Sequence, residues 1–299
     1  MIKPSCVCGL SVLFLFLILS TQAWAGHDTE SPAKKGILLV AFGTTVPEAK
    51  GALEHIQSQV ATRFPGLPIY WAYSSRQVRS TLADSGTHYD SVPTALARMA
   101  DEGFTHVAVQ SLHTIPGAEF QALRETVTAM TGLPKGIKHI ELGQPLLSSH
   151  EDLVACAQTI MDTLPKKRTP QDAVVLMGHG THHAANIYYP GLQYYLWQLD
   201  PLVFIATVES APFLDDVRRA LQSRQVQTTY LLPFMAVAGD HARNDMAGQE
   251  EDSWTSILTS DGLTCIPVLR GTGESEAFVR LWLDHLHIAL ERIGAVASK

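Results

Sequence analysis

The segment Leu176-Met-Gly-His-Gly-Thr-His182 repeats, in outline, Leu39-Val-Ala-Phe-Gly-Thr-Thr45. Each closes an apolar run with a glycine-bearing turn. Two further pairs follow in the same order. Tyr70-Trp-Ala-Tyr-Ser-Ser75 matches Ile205-Ala-Thr-Val-Glu-Ser210, and Leu112-His-Thr-Ile-Pro-Gly-Ala-Glu119 matches Phe234-Met-Ala-Val-Ala-Gly-Asp-His241. The offsets are 137 residues (Gly43 to Gly180), 135 (Ser75 to Ser210) and 122 (Gly117 to Gly239). Generic strand–turn–helix units can match by chance. Three matches in one order at similar spacing point instead to two lobes of one design.

Apolar runs rich in Val, Ile and Leu recur along the chain, at Gly36–Phe42, Pro68–Tyr73, His106–Leu112, Ile137–Leu142, Ala173–Met177, Leu202–Val208, Thr228–Met235 and Thr264–Leu269. Runs of this kind, bounded by Gly, Pro or Ser, suit strands buried on both faces. Between them lie helical stretches, one opening with Pro47 in a first turn and one with Ser149 as an N-cap. Strands alternating with helices imply an α/β fold: two similar lobes, each a parallel sheet flanked by helices. The expected boundaries are 36–143 for the N-terminal lobe, completed by 269–299, and 144–268 for the C-terminal lobe.

The 299 residues are 46% hydrophobic and 17% charged, enough to bury a core without a disulfide framework. A net charge of −7 argues against a nucleic-acid surface, which needs clustered Lys and Arg. Lys3, the apolar run Val7–Leu19 and Ala23-Trp24-Ala25 form the pattern of a secretory signal peptide over 1–25. A short polar leader, 26–35, follows. An uncleaved anchor is the competing reading, but the run is short for a bilayer span. Cleavage would place the protein in the periplasm with no membrane span and a charge of −8, since Lys3 is the only charged residue removed. Cys156 and Cys265 would remain. They could pair in an oxidising compartment, and two buried free thiols are the blander alternative.

Setting the halves against each other exposes a chemical difference. Where the first has Phe42, Ser74 and Glu119, the second has His179, Glu209 and His241. Each follows an expected strand, where ligands bind in open α/β sheets. Two imidazoles and a carboxylate from three strand ends can converge on a divalent transition ion. His182 and His183, expected on a first helical turn, are either further ligands or a solvated face. His113 belongs to the equivalent strand of the first half and either faces the same cleft or sits in the core. Ser74, Ser75 and Arg76 can supply hydroxyls, helix-start N–H groups and a guanidinium to carboxylates. Asp240 is a candidate to orient a neighbouring imidazole. Other chemistries lack their motifs: there is no Cys-x-x-Cys, His-Glu-x-x-His, phosphate loop or Gly-x-Ser-x-Gly elbow.

Ser111-Leu-His113, Met177-Gly-His-Gly180 with His182-His183, Val208-Glu-Ser210 and Ala238-Gly-Asp-His-Ala-Arg-Asn-Asp-Met-Ala-Gly248 resemble the anaerobic sirohydrochlorin cobaltochelatases. Asp252-Ser-Trp254 and His285-Leu-His287 resemble that family too, so the resemblance runs from about Gly36 to Leu290. It implies a class II chelatase fold with a tetrapyrrole cleft between the lobes. It also implies insertion of cobalt(II), or iron(II), into sirohydrochlorin without a nucleotide. By resemblance His179, Glu209 and His241 handle the metal and His113 lines the cleft, with Ser74, Ser75, Arg76, His182 and His183 as substrate contacts. The usual members act in the cytoplasm, so the export signal keeps a second reading open: a periplasmic metal- or haem-binding protein on a chelatase scaffold. Bound haem and a homo-oligomer are compatible with the sequence without being indicated by it.

Overall fold

The computed structural model describes residues 32–297. The signal peptide expected over 1–25, and most of the leader, lie outside the described residues. Eight strands and nine helices alternate among the described residues. The N-terminal lobe holds β1 (Lys35–Ala41), α1 (Lys50–Arg63), β2 (Ile69–Tyr73), α2 (Arg76–Asp84), α3 (Val92–Asp101), β3 (His106–Ser111), α4 (Ala118–Met130) and β4 (His139–Gly143). The C-terminal lobe holds α5 (His150–Thr163), β5 (Ala173–Gly178), α6 (Tyr188–Leu199), β6 (Val203–Thr207), α7 (Leu214–Ser223), β7 (Thr228–Pro233), α8 (Trp254–Ser260) and β8 (Thr264–Pro267). A last helix, α9 (Glu276–Arg292), packs back onto β3 and β4 of the first lobe.

The two sheets have one topology. Their orders are β2-β1-β3-β4 and β6-β5-β7-β8, parallel throughout. All the apolar runs read from the sequence form strands, and the repeat is a repeat of architecture. Alternation along the central strands explains how both sheet faces are buried. Ile37 and Leu39 of β1, with Val174 and Leu176 of β5, point into one central core shared by the lobes. Leu38 and Val40 point into an outer core under α3 and α4. Val175 and Met177 point into the other outer core, under α7 and α8. Each such buried aliphatic side chain contributes about 1.5–3 kcal/mol.

Helix starts follow local chemistry. The hydroxyls of Ser75, Ser91, Ser149 and Ser253 accept the N–H of the third helical residue in α2, α3, α5 and α8. Helix α9 is tied to the start of α5 by His285, whose Nε2 lies 2.9 Å from Asp152 Oδ1. The cysteines Cys156 and Cys265 are both free, the first buried and the second half-buried. No described helix is long and apolar enough to cross a membrane.

The lobes meet with their strand ends facing. A side-chain carbon at Gly239 would touch Thr44 Oγ1 at 3.6 Å, and one at Gly117 would touch Thr181 Cγ2 at 3.8 Å. In the repeat Thr44 corresponds to Thr181, and Gly117 to Gly239. The two contacts are therefore one contact made twice with the partners exchanged, as an approximate two-fold axis requires.

Candidate active site

The turn after β5 carries His179. Gly178 is required because a Cβ there would sit 2.6 Å from the Tyr189 ring, and Gly180 because its φ is +83° and a Cβ would meet Thr207 Oγ1 at 2.6 Å. Gly43, the counterpart of Gly180, also has a positive φ, +101°. These glycines thus serve the turn and its packing. Tyr189 supports the turn from beneath. Burial pushes its phenol up to about 12, against opposing backbone hydrogen bonds from Gly180 and His179. The Glu209 N–H donates to the His179 carbonyl at 2.9 Å, which fixes the turn after β6 beside it.

His241 follows β7 and opens a single π-helical turn, Ala242–Met246. Such turns are rare and recur at functional sites. It brings Asp245 back onto His241, with Oδ2 2.5 Å from Nδ1. The residue that orients His241 is therefore Asp245, not the adjacent Asp240. Asp240 instead accepts a bond from Asn244 Nδ2 at 2.7 Å.

The structure brings His179, Glu209 and His241 together. The two imidazoles meet edge to face with centroids 4.8 Å apart, and Glu209 Oε2 lies 3.6 Å from His179 Nδ1. His179 Nδ1 is also 3.0 Å from the Gly180 carbonyl. A carbonyl and a carboxylate can only accept, so in the neutral rings both Nδ1 atoms carry the hydrogen. Both Nε2 atoms then keep their lone pairs for a ligand. Side-chain exposures of 35% for His241, 39% for His179 and 48% for Glu209 leave the three accessible. Among the described residues no group of three or more His, Cys, Asp or Glu side chains already surrounds a metal-sized point.

Across the cleft stands Phe42, the repeat counterpart of His179. Its ring centroid is 6.5 Å from that of His179, and the side chain is exposed. An aromatic face opposite two imidazoles offers a planar ligand a surface to stack on. The sequence comparison marked Phe42 only as a position lacking a ligand.

The remaining sequence candidates make contacts of their own. His113 is half-buried in the N-terminal lobe, its Nδ1 2.9 Å from Ser111 Oγ and its Nε2 3.2 Å from Ser74 Oγ. Burial lowers its pKa to about 4, against a smaller opposing effect of Glu119. Both ring nitrogens are thus engaged inside that lobe. The Ser75 hydroxyl is the cap of α2, and Arg76 is exposed on its first turn. Arg79, one turn on, reaches back to the carbonyls of Tyr73 and Ser74 and holds this strand end. His182 is exposed; His183 precedes, rather than joins, the 3-10 turn Ala184–Ile187, with Nδ1 accepting the Ala185 N–H at 3.1 Å.

These two lobes superpose on solved chelatases. The structure of SirB from Bacillus subtilis with Fe3+ matches with a TM-score of 0.59 at 16% identity, covering 87% of this chain and 98% of that one. At that identity the likeness is one of fold, and it defines a two-lobed chelatase fold. The family model described as cobalt chelatase (CbiK) matches residues 35–291. Sirohydrochlorin cobaltochelatase CbiKC of Nitratidesulfovibrio vulgaris (strain Hildenborough) is 42% identical over 276 residues, 90% of this chain and 98% of that protein. The sirohydrochlorin cobaltochelatase of Salmonella typhimurium (strain LT2) is 34% identical over 259 residues, 86% of this chain and 97% of that protein. This chain belongs to the CbiK cobalt chelatase family.

Proposed function

We propose that this protein inserts cobalt(II) into sirohydrochlorin without a nucleotide, and that iron(II) follows the same route. The observation that carries this reading is the His179–His241 pair, two imidazoles 4.8 Å apart whose Nδ1 atoms are both engaged. Membership of the CbiK family and the names of the two relatives support the same substrate.

Insertion requires that a hydrated ion lose water and that two pyrrole N–H groups lose protons. His179 and His241 offer Nε2 lone pairs to the ion, and Glu209 offsets its charge. The macrocycle enters between the lobes and stacks on Phe42. As metal–pyrrole bonds form, two protons leave the ring, and an imidazole released from the ion takes up one of them. The products are the cobalt complex and two protons, so the charge of the incoming dication is balanced. Arg76, on the lobe opposite the histidines, and the exposed His182 and His183 meet the ring's carboxylates.

The reading also places the reaction in the periplasm, on the signal-peptide pattern of residues 1–25. Sequencing the mature N-terminus from fractionated cells checks that, and an uncleaved Met1 in the cytoplasmic fraction contradicts it. The chemistry is tested by His179→Ala and His241→Ala, each measured for cobalt insertion into sirohydrochlorin. Each is expected to lose at least ~100-fold in turnover, the scale of general acid–base and positioning contributions. Near-normal turnover in both variants would falsify the assignment.

A further inference from the structure

Helix α9 covers the central-core face of β3 and β4 in the first lobe. In the second lobe, beside Leu176 of β5 and Leu232 and Pro233 of β7, the structure holds a cavity of about 480 Å3. It lies between the end of α5, the β7 strand and the Arg270–Ser275 segment that leads into α9. None of His179, Glu209, His241 or Phe42 lines it.

The cavity is chemically two-sided. Leu176, Leu232, Val268 and Phe234 make an apolar wall. At the α9 end sits Thr272, 5% exposed, whose Oγ1 is buried and has no hydrogen-bond partner among the described residues. A buried hydroxyl without a partner costs about 1–3 kcal/mol, so a group that bonds it gains that term back. Beside it begins the 17-residue helix α9, whose N-cap, Ser275, makes no side-chain bond to the first-turn N–H groups and whose first turn carries Glu276, outside the cavity lining. An uncapped helix start favours an anion. Lys166 and Arg270 add two cationic side chains to the lining. Asp162 is the lining carboxylate, at the α5 end, where it accepts a bond from Gln158 at 2.8 Å.

We propose that this cavity binds a small amphipathic anion, an apolar chain ending in a carboxylate. The carboxylate bonds Thr272 Oγ1 and the α9 N-terminus, and the chain lies along Leu232 and Val268. The volume falls within the range of small-molecule sites. The site is independent of the metal-handling cleft, so it stands whether or not the chelatase reading does.

Decanoate serves as the probe, titrated calorimetrically into the full protein, with decanol as the uncharged control. Saturable binding is expected, with decanoate at least ~10-fold tighter than decanol, about one charge-assisted hydrogen bond's worth. Thr272→Val keeps the shape, removes the hydroxyl and is expected to weaken decanoate ~5–10-fold. Leu232→Trp fills the apolar wall and is expected to abolish binding while cobalt insertion persists, which shows the variant folded. Equal affinity for decanol, no saturable binding, unchanged affinity in Thr272→Val, or displacement of decanoate by sirohydrochlorin would each overturn the proposal.

Discussion

The two lobes share a strand order and opposing glycine turns, yet they treat histidine in opposite ways. In the first lobe, His113 is half-buried between two serine hydroxyls and burial lowers its pKa to about 4. In the second, His179 and His241 stand open at the strand ends, each with Nδ1 tied to an acceptor. A duplicated scaffold thus supplies one wall that holds its imidazole neutral and another that offers imidazoles to a ligand. The histidines occupy non-equivalent positions of the repeat, since His113 matches Met235, His179 matches Phe42 and His241 matches Glu119.

That contrast is broken most directly through His113. A neutral ring with a folded pKa near 4, against about 6.5 in the unfolded chain, binds fewer protons folded than unfolded between those values. Stability therefore falls as pH drops from 6.5 to 4, and this residue contributes no more than about 3 kcal/mol to the fall. His113→Asn removes the titration while keeping a partner for the serines. Denaturant unfolding across that window should give the variant a flatter pH dependence than the parent. Parallel profiles would mean that the ring is as open as those of His179 and His241 in the other lobe.

A smaller effect tests the second lobe. Asp245 fixes the His241 ring through Nδ1, and removing such a partner typically costs 10–100-fold in metal affinity or activity. Asp245→Ala is expected in that range for cobalt insertion. Asp245→Asn should retain more, because its amide oxygen still accepts from Nδ1–H. Asp240→Ala should be close to the parent, since that carboxylate serves Asn244. Equal losses in Asp240→Ala and Asp245→Ala would assign the effect to the turn as a whole rather than to the ring's orientation.

How much of this was legible in the sequence follows from the range of the physics involved. Apolar runs bounded by turn residues depend on local composition, and every run read as a strand forms one, although β8 stops at Pro267 rather than Leu269. The meeting of His179, Glu209 and His241 was legible because equivalent strand ends in a repeat must lie at one edge. Side-chain partners were less so. Asp240 is adjacent to His241, but neighbouring side chains diverge, and the π turn instead returns Asp245. Arg76 was the visible cation after β2, whereas Arg79 reaches the strand end because residues one helical turn on point back toward the N-terminus. Tyr189 gave no local signal. Its contact with the His179 turn is made by tertiary packing alone.

The smallest effect concerns the helix that one lobe has and the other lacks. Helix α9 lies over β3 and β4, while the second lobe has a cavity beside β5 and β7, and its edge strand β8 exposes Ile266. His285 fastens α9 through Asp152, whose other oxygen accepts from the N–H and hydroxyl of Ser148. Burial alone would raise the Asp152 carboxyl, but the bonds from His285 and Ser148 outweigh it and hold the pKa below the usual carboxylate range. A depressed carboxyl stabilises the fold above its unfolded pKa and stops doing so as pH falls through the folded one. His285→Ala is therefore expected to cost about 1–2 kcal/mol at neutral pH, the scale of one hydrogen bond to a charged group. Part of that cost should vanish in acid, where Asp152 is protonated in either protein. Thermal melts of parent and variant at neutral and strongly acidic pH measure it. A gap that stays constant would show that α9 is held by its apolar face, and that the asymmetry between the lobes owes nothing to this pair.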